Sequence, residues 1–168
     1  MSLKSAWLDT PLGSMLAISD TERLYLLDFV ESKGLKYKIK RLKINTKSTI
    51  TEDRIRPIIS IEEELKSYFS GTLQKFNTPI YLLGSEFQKL VWQELMNVPY
   101  GETRSYFTQA KLIGMERSYR AVANANGANK FVIIIPCHRI INNNGKLGGY
   151  GSGLDRKKWL IEHERQKY

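Results

Sequence analysis

With 168 residues, 42% of them hydrophobic, the chain can bury a core in one domain or two small ones without a cofactor or cross-link to hold it. One cysteine excludes an intramolecular disulfide, and two histidines leave no cluster for a structural zinc site, so neither a metal nor another cofactor is expected. A formal charge of +9 favours a polyanionic partner, nucleic acid ahead of an anionic membrane surface, while the absence of a spanning apolar run or signal-like start points to a cytoplasmic protein, nucleoid-associated if prokaryotic.

The apolar runs Met15-Leu16-Ala17-Ile18 and Leu24-Tyr25-Leu26-Leu27, joined by the polar Ser19 to Arg23, predict an antiparallel hairpin. In Lys36-Tyr37-Lys38-Ile39-Lys40 charge alternates with bulk at period two, which predicts a strand: either a lysine-protected edge or a basic face turned to phosphates. Ser60-Ile61-Glu62-Glu63 reads as a capping box opening a helix through Tyr68 and Phe69, with Gly71 ending it, and residues 74–83 read as a connection. A domain boundary is therefore expected between 83 and 84.

In the second part, Ser85 and Gln88 form another capping box, and Phe87, Leu90, Val91 and Leu95 recur at helical spacing to about Met96. Residues 105–112 and 118–126 then make two helices around a turn at Gly114, a helix-turn-helix pattern. Ala121, Ala123 and Ala125 leave the second helix slim, suited either to tight packing or to a narrow groove, with Arg120 as the long cation near its start.

The apolar run Phe131-Val132-Ile133-Ile134-Ile135 predicts a buried strand, closed by Pro136 so that Cys137 stands at its end. A lone cysteine there is either a small core residue or a nucleophile; His138 and Arg139 beside it offer a base and a positive field. Glycine-rich turns follow around Tyr150. Asp155 then reads as the N-cap of a last helix, with Leu154 and Trp159 as a hydrophobic staple and His163-Glu164 near its end.

Several of these segments, in one order, resemble the O6-alkylguanine-DNA alkyltransferase family. They are Phe87-Gln88-x-x-Val91-Trp92, Tyr100-Gly101-Glu102-Thr103-x-Ser105-Tyr106, Arg120-Ala121-Val122, Ile135-Pro136-Cys137-His138-Arg139, Gly148-x-Tyr150-x-x-Gly153-Leu154 and Trp159-Leu160 to Glu164. The resemblance implies an α/β (α+β) protein. Residues 1–83 would form a non-catalytic ribonuclease-H-like domain, and residues 84–168 a mostly helical winged helix-turn-helix domain carrying DNA binding and alkyl transfer.

The resemblance further implies that Cys137 irreversibly accepts a methyl or other alkyl group from O6-alkylguanine, with O4-alkylthymine a further candidate, after the base is flipped from the duplex. It assigns His138 as base through a water, Glu164 as its orienting acid, Asn129 as a steadying partner and Tyr106 as donor to the leaving oxygen. Arg120 is matched to the family's arginine finger. DNA contacts from Tyr106, Ser118, Ala121 and Asn124, minor-groove docking, a pocket of Tyr150, Gly151, Ser152 and Gly153, and a monomeric state complete the expectation. Lys130, where the family often has proline, and Ser118-Tyr119, where small residues are common, are departures. A non-reacting damage sensor would lack Cys137; a cysteine hydrolase using Cys137, His138 and Glu164 would turn over and need no helix-turn-helix.

Overall fold

The computed structural model describes residues 1–166 and divides into two compact units, residues 1–82 and a second beginning at Leu83. The first contains β1 (Ser2–Leu8), β2 (Met15–Ser19), β3 (Leu24–Phe29), α1 (Leu35–Thr46), β4 (Thr49–Glu52) and α2 (Arg56–Phe69). The sheet order is β3-β2-β1-β4, with β1 antiparallel to β2 and parallel to β4. The expected hairpin is β2 and β3, both buried along their length. Its turn is closed by Asp20, whose carboxylate accepts the backbone N–H groups of Glu22 and Arg23.

Two expectations for this unit are corrected. The stretch from Lys36 to Lys40 is not a strand but the first half of α1. The deciding contacts are seven residues apart, at buried Leu35 and Leu42, and Lys38 swings inward to fully buried Asp28 at 2.9 Å. α2 begins at Arg56, four residues before the expected capping box, with Pro57 in its first turn, where a missing N–H costs nothing. Ser60 lies inside the helix, its hydroxyl bonded to Thr78. Gly71, at φ +85°, follows the helix end as expected.

The second unit comprises α3 (Glu86–Leu95), β5 (Arg104–Ser105), α4 (Tyr106–Leu112), a 3-10 turn (Glu116–Ser118), α5 (Tyr119–Gly127), a second 3-10 turn (Cys137–Arg139), β6 (Ile140–Ile141) and α6 (Leu154–Arg165). The Ser85 capping box forms in both directions and starts α3. Val91, Ala110, Val122 and Ala125 form a core on which Phe87, Ile113 and Met115 pack, so the slim side of α5 lets helices approach closely. Trp92 Nε1 donates to Ala125 O at 2.8 Å, and Gln109 and Asn126 exchange two amide hydrogen bonds of 2.7 Å between α4 and α5.

Residues 131–135 do not form the expected strand. Residues 132–134 turn, Ile135 N donates to Phe131 O at 2.9 Å, and buried Ile133 sits at φ +76°, a costly conformation for a β-branched residue. Asn129 replaces the missing ladder: its Oδ1 accepts from Phe131 N and its Nδ2 donates to Ile135 O, each at 2.8 Å. α6 likewise begins earlier than expected, with Gly153 at the N-cap position and Asp155 inside the first turn. Leu154 is therefore the first residue of the helix and not the residue before its cap, so it and Trp159 do not occupy the two staple positions. β5 and β6 pair in parallel, placing the segment after the cysteine beside the start of α4.

Candidate active site

Cys137 opens its 3-10 turn half-buried, its backbone N–H bonded to Ile135 O at 2.8 Å. Asn129 Nδ2, already holding the preceding turn, also donates to Cys137 Sγ at 3.3 Å. One amide thus shapes the loop and touches the sulfur it presents, which suits stabilisation of a thiolate.

His138 is fully buried and its Nε2 lies 2.7 Å from Glu164 Oε2 on α6. Burial acts to raise the Glu164 carboxyl pKa, but His138 and Arg139 together hold it well below the usual carboxylate range. An ionised Glu164 accepts a hydrogen bond from Nε2–H and so leaves the lone pair on Nδ1 for proton transfer; Nδ1 is buried and makes no hydrogen bond to the described residues. Burial lowers the His138 pKa despite the neighbouring carboxylate, so the ring is neutral at physiological pH.

Arg139 departs from its expected role. Its Nε and Nη2 grip Glu164 at 2.7 and 3.0 Å, and its Nη1 donates to Val98 O at 2.7 Å. The guanidinium therefore fixes the acid that orients His138 and is not a field reserved for the thiol.

Lys157, which the sequence reading missed, is the cation in that position. It is fully buried on α6, donating to Ile140 O at 2.6 Å and Gly149 O at 3.0 Å. Its Nζ stands 5.8 Å from the centre of the Tyr106 ring. Burial lowers its pKa to about 8, and the nearby Cys137 works against that shift. Tyr106, the first residue of α4, has its pKa raised by burial and by Cys137, so its hydroxyl keeps its proton and remains a donor.

The glycine-rich loop closes on the same ring. Gly148 is at φ +73°, and a Cβ there would meet Asn142 Oδ1 at 2.8 Å and Tyr106 Cε2 at 3.2 Å, so only glycine fits. Beyond it, Tyr150 is half-buried, Ser152 is buried, and Gly151 and Gly153 are exposed. Cys137, His138, Asn129, Glu164 and Tyr106 are thus linked through bonds, ring contacts or electrostatic reach. Ser118, Arg120, Ala121 and Asn124 lie exposed on and beside α5. Tyr119 is 51% exposed and points outward, whereas Lys130 turns inward, donating to Leu83 O and standing 5.3 Å from the Trp92 ring centre.

Residues 86–166 match the family model described as 6-O-methylguanine DNA methyltransferase, DNA binding domain. A methylated-DNA–protein-cysteine methyltransferase of Methanosarcina acetivorans is 40% identical over 156 residues, 93% of this chain and 94% of the relative. The chain belongs to that family. A second methylated-DNA–protein-cysteine methyltransferase, from Mycolicibacterium paratuberculosis, is 52% identical over 104 residues, 62% of this chain and 63% of its own. The crystal structure of a point variant of Mycobacterium tuberculosis OGT superposes with a TM-score of 0.85 at 35% identity, covering 99% of this chain and 94% of that one. The structure of Mycobacterium tuberculosis OGT in complex with DNA gives 0.83 at 35% identity, covering 98% and 93%. The α+β fold of the methyltransferase family is therefore present along essentially the whole chain. Among the described residues no helix is long and apolar enough to cross a membrane.

Proposed function

We propose that this protein repairs DNA by direct reversal, moving a methyl or other alkyl group from O6-alkylguanine in duplex DNA onto Cys137, once per molecule. The observation that carries the reading is the buried His138–Glu164 hydrogen bond next in sequence to a cysteine whose sulfur accepts from Asn129, in a chain of this family. The proton of the thiol passes through a bridging water to His138 Nδ1, and Nε2–H stays bonded to Glu164. The thiolate then attacks the alkyl carbon in line. A C–S bond forms, the C–O6 bond breaks, and its electron pair goes to the oxygen of the departing guanine.

Tyr106, held in its protonated form, donates to that leaving group. The thioether has no hydrolytic exit, which makes the reaction stoichiometric. Because the target oxygen lies inside the base stack, the nucleotide swings out into the pocket of Tyr150, Gly151, Ser152 and Gly153. The exposed face of α5 enters the minor groove, where Arg120 fills the vacated place and Ser118, Ala121 and Asn124 meet the backbone. In this reading residues 1–83 are the non-catalytic, ribonuclease-H-like domain and residues 84–168 carry binding and chemistry. The protein acts as a cytoplasmic monomer.

Incubation with a duplex carrying one O6-methylguanine, followed by peptide mass mapping, tests the reading. One methyl increment on the peptide containing Cys137, with one lesion removed per protein, is the expected result. Binding without the increment would make the protein a damage sensor, and repeated turnover would make it a hydrolase.

A further inference from the structure

The positive charge of the first unit is concentrated in one place. From Lys33 to Lys47 there are seven cations and no acid, and α1 occupies most of that stretch. Lys38 is spent inward on Asp28. Lys36, Lys40, Arg41, Lys43 and Lys47 are exposed, and among the described residues their side chains form no ion pair. Lys36, Lys40 and Lys43, spaced by four and three residues, form one row about 10 Å long, and Lys47 caps its end. Tyr37 and Ile44, about two turns apart on one stripe of the helix, flank this row and are 66% and 53% exposed.

Folding does not account for this row. Lys36 sits in the first turn, against the helix dipole, with no acid beside it and no side-chain cap at Gly34. Lys36 with Lys40 and Lys40 with Lys43 are like-charge neighbours that weaken a helix. α1 is held to its unit by Leu35, Leu42 and the buried Lys38–Asp28 pair, none of which needs the outer lysines. A face that costs stability when bare fits a ligand of opposite charge.

We propose that the outer face of α1 is a second DNA contact, binding duplex phosphates through Lys36, Lys40, Lys43 and Lys47 without reading sequence or damage. The inference rests on DNA being this protein's substrate, since that is the polyanion it meets. Lysines act here as point charges along a backbone, and such contacts set affinity and position but carry no base readout. An anionic membrane fits less well, because a helix lying in a lipid interface needs a broad apolar face and α1 exposes only Tyr37 and Ile44 beside its cations.

The test compares the full-length protein with the variant K36Q/K40Q/K43Q/K47Q, measuring binding to an undamaged duplex by fluorescence anisotropy across a salt series. Each phosphate contact contributes about 0.9 to the slope of log K against log salt, so the variant, lacking four, should lose about 3.6 from the slope and bind at least ~10-fold more weakly at low salt. The matching lysine-to-arginine variant should restore both. Transfer from free O6-benzylguanine, which involves no duplex, shows that each variant is folded. Unchanged slope and affinity in the folded glutamine variant overturn the proposal, even if α1 binds vesicles containing phosphatidylserine. If the native protein shows the α1-dependent slope but transfers no alkyl group, the alkyltransferase reading falls and this one stands.

Discussion

Glu164 is the residue on which the site turns, because one carboxylate orients His138 and receives a two-pronged grip from Arg139. Exchanging it for glutamine keeps the shape but sets an amide against three N–H donors and removes the charge that fixes the His138 tautomer. By analogy with triad acids, E164Q should slow transfer roughly 100- to 10,000-fold. The pH profile separates this from a packing defect. Neutral His138 is the active base and burial lowers its pKa, so the native acid limb lies below 6.5; without the opposing carboxylate it moves lower still. A rate within twofold of native would remove His138 and Glu164 from the mechanism.

Lys157 supplies a second prediction at this scale. K157M leaves two carbonyls unsatisfied, at a cost of about 1–3 kcal/mol measurable by denaturant titration. It also removes a charge near Tyr106 and Cys137, and should slow transfer about tenfold at pH 7, in line with a charge-assisted hydrogen bond of similar size. Lys157 is charged below about 8 and neutral above it. The ratio of native to K157M rates should therefore shrink as pH rises through that value, and a constant ratio would assign Lys157 to packing alone. Cys137 and His138 were legible because they adjoin each other in one motif. Lys157 was not, because it sits beside Lys158 and looks solvated; its one sequence signal is that it shares a helix stripe with Leu160, Ile161 and Glu164.

Among the elements, local signals were read correctly only in part, since the caps expected at Ser60 and Asp155 fall inside helices that begin earlier, and the segments governed by distant partners were misread. The Ser85–Gln88 box and the Gly71 and Gly114 turns need only nearby residues, and all three formed. α1 was misread because five residues of alternation outweighed two apolar anchors seven apart. Residues 131–135 have strand composition, yet Asn129 satisfies their backbone and no ladder is required. The Gln109–Asn126 pair, invisible in sequence, sets how α4 meets α5. Q109L or N126L alone strands a buried amide and should cost about 1–3 kcal/mol, whereas Q109L/N126L together should recover much of that loss. A double-mutant cycle with simple additivity would show that the pair is not coupled. If the pair also aligns the DNA-binding face, single variants should bind duplex more weakly than their stability loss explains.

For the molecule as a whole, chemistry and affinity reside in different side chains. Sγ of Cys137 sits at a turn and accepts a hydrogen bond from Asn129, whereas Arg120 of α5 and the outer lysines of α1 are exposed. Truncating the thiol therefore removes reaction without removing attraction. C137A should transfer nothing, yet bind a duplex containing O6-methylguanine within about threefold of the native encounter affinity, a change of under 1 kcal/mol. Its binding should weaken linearly in log K against log salt, as counterions displaced from phosphates return. The net charge of +9 made this behaviour legible in sequence but not its location, since 26 cations spread along a chain do not reveal which are spent inward, as Lys38, Arg139 and Lys157 are. Salt-independent binding by C137A would mean that the remaining surface cations do not meet phosphates, and that recognition is confined to the flipped base. A loss of binding as complete as the loss of transfer would instead make the Cys137 turn itself part of the DNA-binding surface.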